Sequence, residues 1–114
     1  MKLKMIGTGA LSVKDRSSCS LIDDRILIDC GNGILKTLLE QNVDISKIDI
    51  LLITHLHGDH FLDIPFLIMQ RDFISAEKEL NIYGPEGTEN TIAKLISLAY
   101  ANIEDWTKKG IKQK

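Results

Sequence analysis

All three histidines of the chain, His55, His57 and His60, fall within residues 54–61, which read Thr-His-Leu-His-Gly-Asp-His-Phe. Two histidines at i and i+2 leaving the end of an extended strand project to the same side, so His55 and His57 are placed to share one metal ion. Gly58 then allows a tight turn, after which Asp59 and His60 reach a second ion. Neutral imidazole and carboxylate donors suit zinc, with manganese or iron as alternatives, better than calcium or magnesium. The spacing carries the inference, because any one histidine alone would be an ordinary surface residue. A plain polar loop would need these few histidines to gather by accident between two strongly apolar segments.

The segments on either side must position that window. Residues 48–54 are a nearly unbroken apolar run, the pattern of a strand covered on both faces, and deliver the histidines at its C-terminal edge. Residues 62–73 are apolar with a helical rhythm, and Pro65 fits only a first turn, so this helix should begin close to Asp63 or Ile64. Upstream, residues 2–6 alternate as a strand closed by Gly7-Thr8-Gly9. Residues 18–22 and 25–29 make a hairpin across Asp23-Asp24, which would set Cys19 opposite Ile28. Gly31-Asn32-Gly33 breaks the sheet, and Ile34, Leu35, Leu38 and Leu39 give the stripe of a short helix ending near Asn42. Residues 80–83 are a further strand, and Ile92, Leu95, Ile96 and Ala99 mark a helix with Thr88 as its candidate cap. Asp23, Asp24, Asp44 and Asp49 read as turn and cap residues. After Tyr100 a lone Trp106 stands among charges, so the chain divides into a domain over 1–100 and a helix end with a polar tail over 101–114.

With 114 residues, 44% of them hydrophobic and 26% charged, the chain has the size and composition of one globular domain able to bury a core. A net charge of −2 gives no general attraction to polyanions, so contact with nucleic acid would need a local patch. Cys19 and Cys30 are too few for a disulfide framework and sit in apolar strands, the setting of reduced, partly buried thiols. Gly7, Thr8 and Gly9 interrupt the first apolar run before it could serve as a signal segment. No run approaches the ~20 apolar residues of a membrane helix. The expectation is a cytoplasmic protein with no membrane partner.

Residues 55–60, His-Leu-His-Gly-Asp-His, resemble the His-x-His-x-Asp-His signature of the metallo-β-lactamase superfamily of metallohydrolases. Met5-Ile6-Gly7-Thr8-Gly9 resembles the opening strand and turn of its ribonuclease Z-like branch, and Ser17-Ser18-Cys19-Ser20-Leu21-Ile22 resembles that branch's second strand. Ile26-Leu27-Ile28-Asp29-Cys30-Gly31 is similar to the first motif, in which an aspartate ends a strand beneath the metals, and Ile82-Tyr83-Gly84-Pro85-Glu86-Gly87-Thr88 is similar to the strand, turn and helix that follow the metal motif. The resemblance runs over about residues 1–100. It implies an α/β (α+β) fold, the N-terminal half of an αβ/βα sandwich. It also implies two zinc ions held by His55, His57, Asp59 and His60, with Asp59 in addition a catalytic acceptor of the nucleophile's proton. Asp29 would accept a proton from a ligating imidazole and fix its tautomer. The implied activity is that of a metal-dependent hydrolase, a phosphodiesterase or ribonuclease Z-like endoribonuclease using water activated between two zinc ions.

The chain departs from the family in what it lacks. The superfamily completes its site with later histidines and a bridging aspartate, whereas no histidine follows His60, so each ion is offered two ligands. The resemblance therefore implies an incomplete site, with a complementing C-terminal chain or a second copy as the expected partner and RNA or a smaller phosphodiester as substrate. Half a sandwich would leave one sheet face uncovered. The Gly/Pro-rich basic arm with which the family's ribonucleases grip transfer RNA has no counterpart, and Asp63 stands where ribonuclease Z has glycine. Two other functions share these residues: hydrolysis of a thioester, lactone or β-lactam, and a non-catalytic metal-binding or interaction fragment.

Overall fold

The structure, a computed structural model, describes residues 1–9, 18–100 and 111–113. Strands β1 (Leu3–Gly7), β2 (Cys19–Ile22), β3 (Ile26–Ile28), β4 (Ile50–Leu52), β5 (Leu80–Tyr83) and β6 (Ile111–Gln113) form one six-stranded sheet whose spatial order is the chain order. The first two pairings are antiparallel and those from β3 onward are parallel. Between the parallel strands lie α1 (Ile34–Glu40), a 3-10 turn at Ile45–Lys47, α2 (Gly58–Phe61), α3 (Ile64–Phe73) and α4 (Thr88–Ala99). The implied mixed α/β fold is thus the one observed.

Asp23 and Asp24 adopt left-handed φ angles of 53° and 59°, the turn that matches the twist of a hairpin. Aspartate tolerates this region better than most side chains. Lys2 reinforces the turn, its backbone N–H donating to Asp23 Oδ1 at 2.7 Å and its ammonium meeting Asp24 at 3.2 Å. The register differs from the expected one. Ile22 pairs with Ile26, so Arg25 joins the loop and Ser20, not Cys19, stands opposite Ile28. Both cysteines are buried free thiols, and Cys19 Sγ donates to the Asp29 carbonyl at 3.3 Å.

Cross-strand register aligns Leu21, Leu27, Leu51 and Ile82 on one face, and all four are fully buried. Ile34 and Leu38 of α1, Ile64 and Leu67 of α3, and Ile92 and Ile96 of α4 complete that core. The opposite face carries Leu3, Met5, Ile22, Ile26, Ile28, Ile50, Leu52 and Tyr83 in the alternating positions. None of these eight is buried, and Met5 is 53% exposed. The strand at residues 48–54 is therefore not covered on both faces as its composition predicts. The cause is topological: crossovers between parallel strands are right-handed as a rule, and where the strands are neighbours in both sequence and space this puts the connecting helices, here α1, α3 and α4, against the same face.

Pro65 occupies the first turn of α3, as expected. At α4 the expected cap is corrected. Gly87, with φ of 93°, is the N-cap, and Thr88 is the first helical residue, buried with its hydroxyl donating to the Pro85 carbonyl at 2.6 Å. The left-handed geometry required at the cap favours glycine over threonine. Asp44 caps the 3-10 turn by accepting from Ser46 N–H at 3.1 Å, and Asp49 pairs with Arg25 at 2.9 Å. Arg71 of α3 is buried and donates to the carbonyls of Ile48 and Lys78, at the feet of β4 and β5. In the segment expected as a polar tail, Ile111–Gln113 pair with β5, while residues 101–110 and 114 lie outside the described residues. Among the described residues no helix is long and apolar enough to cross a membrane.

Candidate metal centre

The parallel pairing of Ile28 with Leu52 and of Leu52 with Tyr83 brings the C-terminal ends of β3, β4 and β5 side by side. Ligands of open parallel sheets gather at this edge, where the chain leaves the strands. Asp29 follows β3, and Thr54 and the histidine window follow β4. Backbone hydrogen bonds fix the two segments together: Asp29 N–H to Leu52 O at 2.8 Å, Cys30 N–H to His60 O at 2.8 Å, and Asp63 N–H to Cys30 O at 3.0 Å.

Asp29 is 4% exposed and holds a left-handed φ of 64°. Such a conformation is uncommon outside glycine, asparagine and aspartate, and here it aims the carboxylate back at β4. Oδ1 accepts from Thr54 N–H at 2.8 Å, while Oδ2 accepts from the Thr54 hydroxyl at 2.8 Å and faces His60 Nδ1 at 2.8 Å. With the proton on Nδ1, His60 turns Nε2 outward, 3.5 Å from Asp59 Oδ2. The Thr54 hydroxyl also lies 3.2 Å from His55 Nδ1. His55 stands between its partners, with ring centroids 4.8 Å from His57 and 3.8 Å from His60.

The structure thus brings together His55, His57, Asp59, His60 and Asp29. The donors match zinc in kind, being imidazoles and one carboxylate. They do not close around an ion, for among the described residues no group of three or more His, Cys, Asp or Glu side chains is arranged to hold one. Thiolates do not add to the set. Burial, followed by the Asp29 charge, pushes the Cys19 thiol up to about 12, and burial also raises that of Cys30.

The tight turn expected at Gly58 is the start of the single-turn helix α2. The small size of Gly58 serves a close approach, since a Cβ there would stand 3.0 Å from Leu62 Cδ1. Thr54, which joins Asp29 to the histidine window, is not among the residues that the sequence motif singles out. The signal available was its place as a hydroxyl between an apolar strand and the first histidine, where nearby ring nitrogens need orienting.

A family model described as anti-Pycsar protein Apyc1 matches residues 1–107. Ribonuclease Z of Methanocaldococcus jannaschii is 41% identical over 109 residues, which make up 91% of this chain and 34% of that protein. Ribonuclease Z of Methanococcus maripaludis strain C5 is 39% identical, with 91% of this chain and 35% of that one covered. The chain therefore spans about a third of the length of these curated relatives. Among solved structures, human tRNase Z, short form, matches with a TM-score of 0.76 and 30% identity, over 88% of this chain and 41% of that one. The metallo-beta-lactamase fold protein YhfI from Bacillus subtilis matches at 0.67 and 26% identity, over 98% and 45%. These likenesses cover both the Asp29 strand and the histidine window, and on them the chain belongs to the anti-Pycsar protein Apyc1 family and to the ribonuclease Z-like branch of the metallo-β-lactamase superfamily.

Proposed function

We propose that this chain carries one half of the two-zinc site of a ribonuclease Z-like phosphodiesterase, completed by protein outside it. The observation that carries the reading is the 2.8 Å contact of His60 Nδ1 with Asp29 Oδ2, which leaves Nε2 beside Asp59. A carboxylate behind a ligating imidazole is the usual device for fixing its tautomer. His55 and His57 would hold one ion, and Asp59 and His60 the other. Zinc, when bound, supplies Lewis acidity that makes hydroxide available from water near neutral pH and neutralises charge on the substrate oxygens. Asp59 would accept the proton of the attacking water as well. Relatives named ribonuclease Z and tRNase Z support an RNA phosphodiester as substrate, with a smaller phosphodiester as the near alternative. The open apolar sheet face supports a covering partner, a C-terminal chain or a second copy. Free cysteines suit a reducing, cytoplasmic setting.

The test is zinc titration of chelator-washed protein, followed by turnover of bis-p-nitrophenyl phosphate, a thioester and a β-lactam. Zinc binding should weaken on His57→Ala, and phosphodiester hydrolysis should exceed the other two. Zinc binding indifferent to His57→Ala would overturn the reading. Preference for the thioester or β-lactam would replace the phosphodiester with the other hydrolysis. Zinc binding without any turnover would leave a metal-binding fragment.

A further inference from the structure

Asp63 lies at the joint between α2 and α3, three residues past His60, yet its carboxylate serves another helix. It is 8% exposed and accepts from Gly33 N–H at 3.1 Å and from Leu35 N–H at 2.8 Å. These are backbone donors at the N-terminus of α1, a helix whose own N-cap is Gly33, with no side chain to cap it. Every helix start leaves such donors without partners inside the helix. Here the cap arrives from a residue 30 and 28 positions away along the chain.

That cap closes a clasp around the metal window. The segment from Asp29 to Leu35 meets the segment from Thr54 to Asp63 at three levels. At one end Asp29 holds Thr54 and His60. In the middle Cys30 exchanges backbone hydrogen bonds with His60 and Asp63. At the far end the Asp63 side chain holds Gly33 and Leu35. Asp29 itself sits in an uncommon left-handed conformation and needs its neighbours to keep it there. We propose that Asp63 is a positioning residue for the metal site: by capping α1 from the motif's own joint, it keeps Asp29 in register with His60. The inference rests on the proposed metal role of residues 55–60 and adds a residue that the ribonuclease Z resemblance does not supply, since that branch carries glycine here.

The experiment compares Asp63→Ala with Leu38→Ala in the 114-residue chain, the latter a core truncation in the same helix that leaves the clasp intact. Measurements are made well below both unfolding midpoints. In metal-free protein, ¹⁵N shifts of the His60 ring report its tautomer and hydrogen bond; in cobalt-titrated protein, visible absorption reports affinity. Asp63→Ala should blur the single Nδ1–H tautomer of His60 and weaken cobalt binding by about tenfold or more, the scale of losses seen when an outer partner of a ligand is removed. Leu38→Ala should lower the midpoint and leave both readouts unchanged. Equal effects of the two variants, or an unchanged tautomer in Asp63→Ala, would overturn the proposal and make Asp63 an ordinary helix cap. If Asp63→Ala does not fold, Asp63→Asn carries the same comparison. Failure of wild-type protein to bind cobalt counts against the proposed function, while the metal-free tautomer still decides the role of Asp63.

Discussion

Asp29→Asn isolates the link between the strand end and the histidine window. Asparagine keeps the left-handed φ of 64° accessible, and its one carbonyl oxygen can still accept Thr54 N–H at the Oδ1 position. The change is confined to the Oδ2 edge, where an amide NH₂ donates and cannot accept. His60 Nδ1, 2.8 Å away, must then present its lone pair, which moves the ring proton to Nε2, the nitrogen beside Asp59. A ring protonated there cannot offer that nitrogen to a metal without first changing tautomer. Losing an outer carboxylate of this kind costs about 10–100-fold in metal affinity, or about 1.4–2.7 kcal/mol. Folding loses a hydrogen bond to a charged group, about 1.5–3 kcal/mol. The assay is zinc competition against a chromophoric chelator, with urea unfolding of the metal-free chain alongside and ¹⁵N shifts of His60 to follow the proton. Unchanged affinity together with an unchanged tautomer would refute the argument, because the Oδ2 edge would then not orient His60.

Three further outcomes follow from other parts of the molecule. Cys19, raised to about 12, and Cys30, raised by burial, should resist a thiol reagent at pH 8 in the native chain and react fully in denaturant. Because their folded-state values are raised, they favour folding fully below the ordinary thiol value of about 8.5; that contribution falls away as pH climbs towards 12, which alkaline unfolding of a Cys19→Ala variant against wild type will measure. Arg71→Ala leaves the Ile48 and Lys78 carbonyls without their buried donor and should cost about 3 kcal/mol or more in urea unfolding, whereas a loss under about 1 kcal/mol would mean water replaces the guanidinium. Met5→Lys, on the open sheet face, should change stability by no more than about 0.5 kcal/mol. It should reduce binding of a hydrophobic dye and self-association in light scattering, and unchanged values of both would show that the face is not the adhesive surface.

The gathering of the histidine window and the strand that delivers it were legible because their signal is local: residue type, spacing, and an apolar run ending at Thr54. Pro65 marked the start of α3 for the same reason, since its ring excludes all but the first turn. The hairpin register was not legible, as it turns on whether Arg25 joins the loop, and Asp23-Asp24 allows either length where Asn-Gly would have decided it. The roles of Thr54 and Asp63 depend on partners 25 to 30 residues away, which no local pattern encodes. The half-covered state of β4 was hidden for a related reason. An apolar run reports what a face prefers, while the order of strands decides what covers it.

That strand order bears on how the chain reaches its fold. Each strand pairs with the one made just before it, so every pairing becomes available as soon as its second strand has left the ribosome. Sheets built from near neighbours in sequence close short loops and form early. The helical side can therefore assemble during synthesis while the bare side, from Leu3 to Tyr83, still faces water. At that stage the nascent protein offers a broad apolar surface, and shelter from self-association matters before the fold is complete.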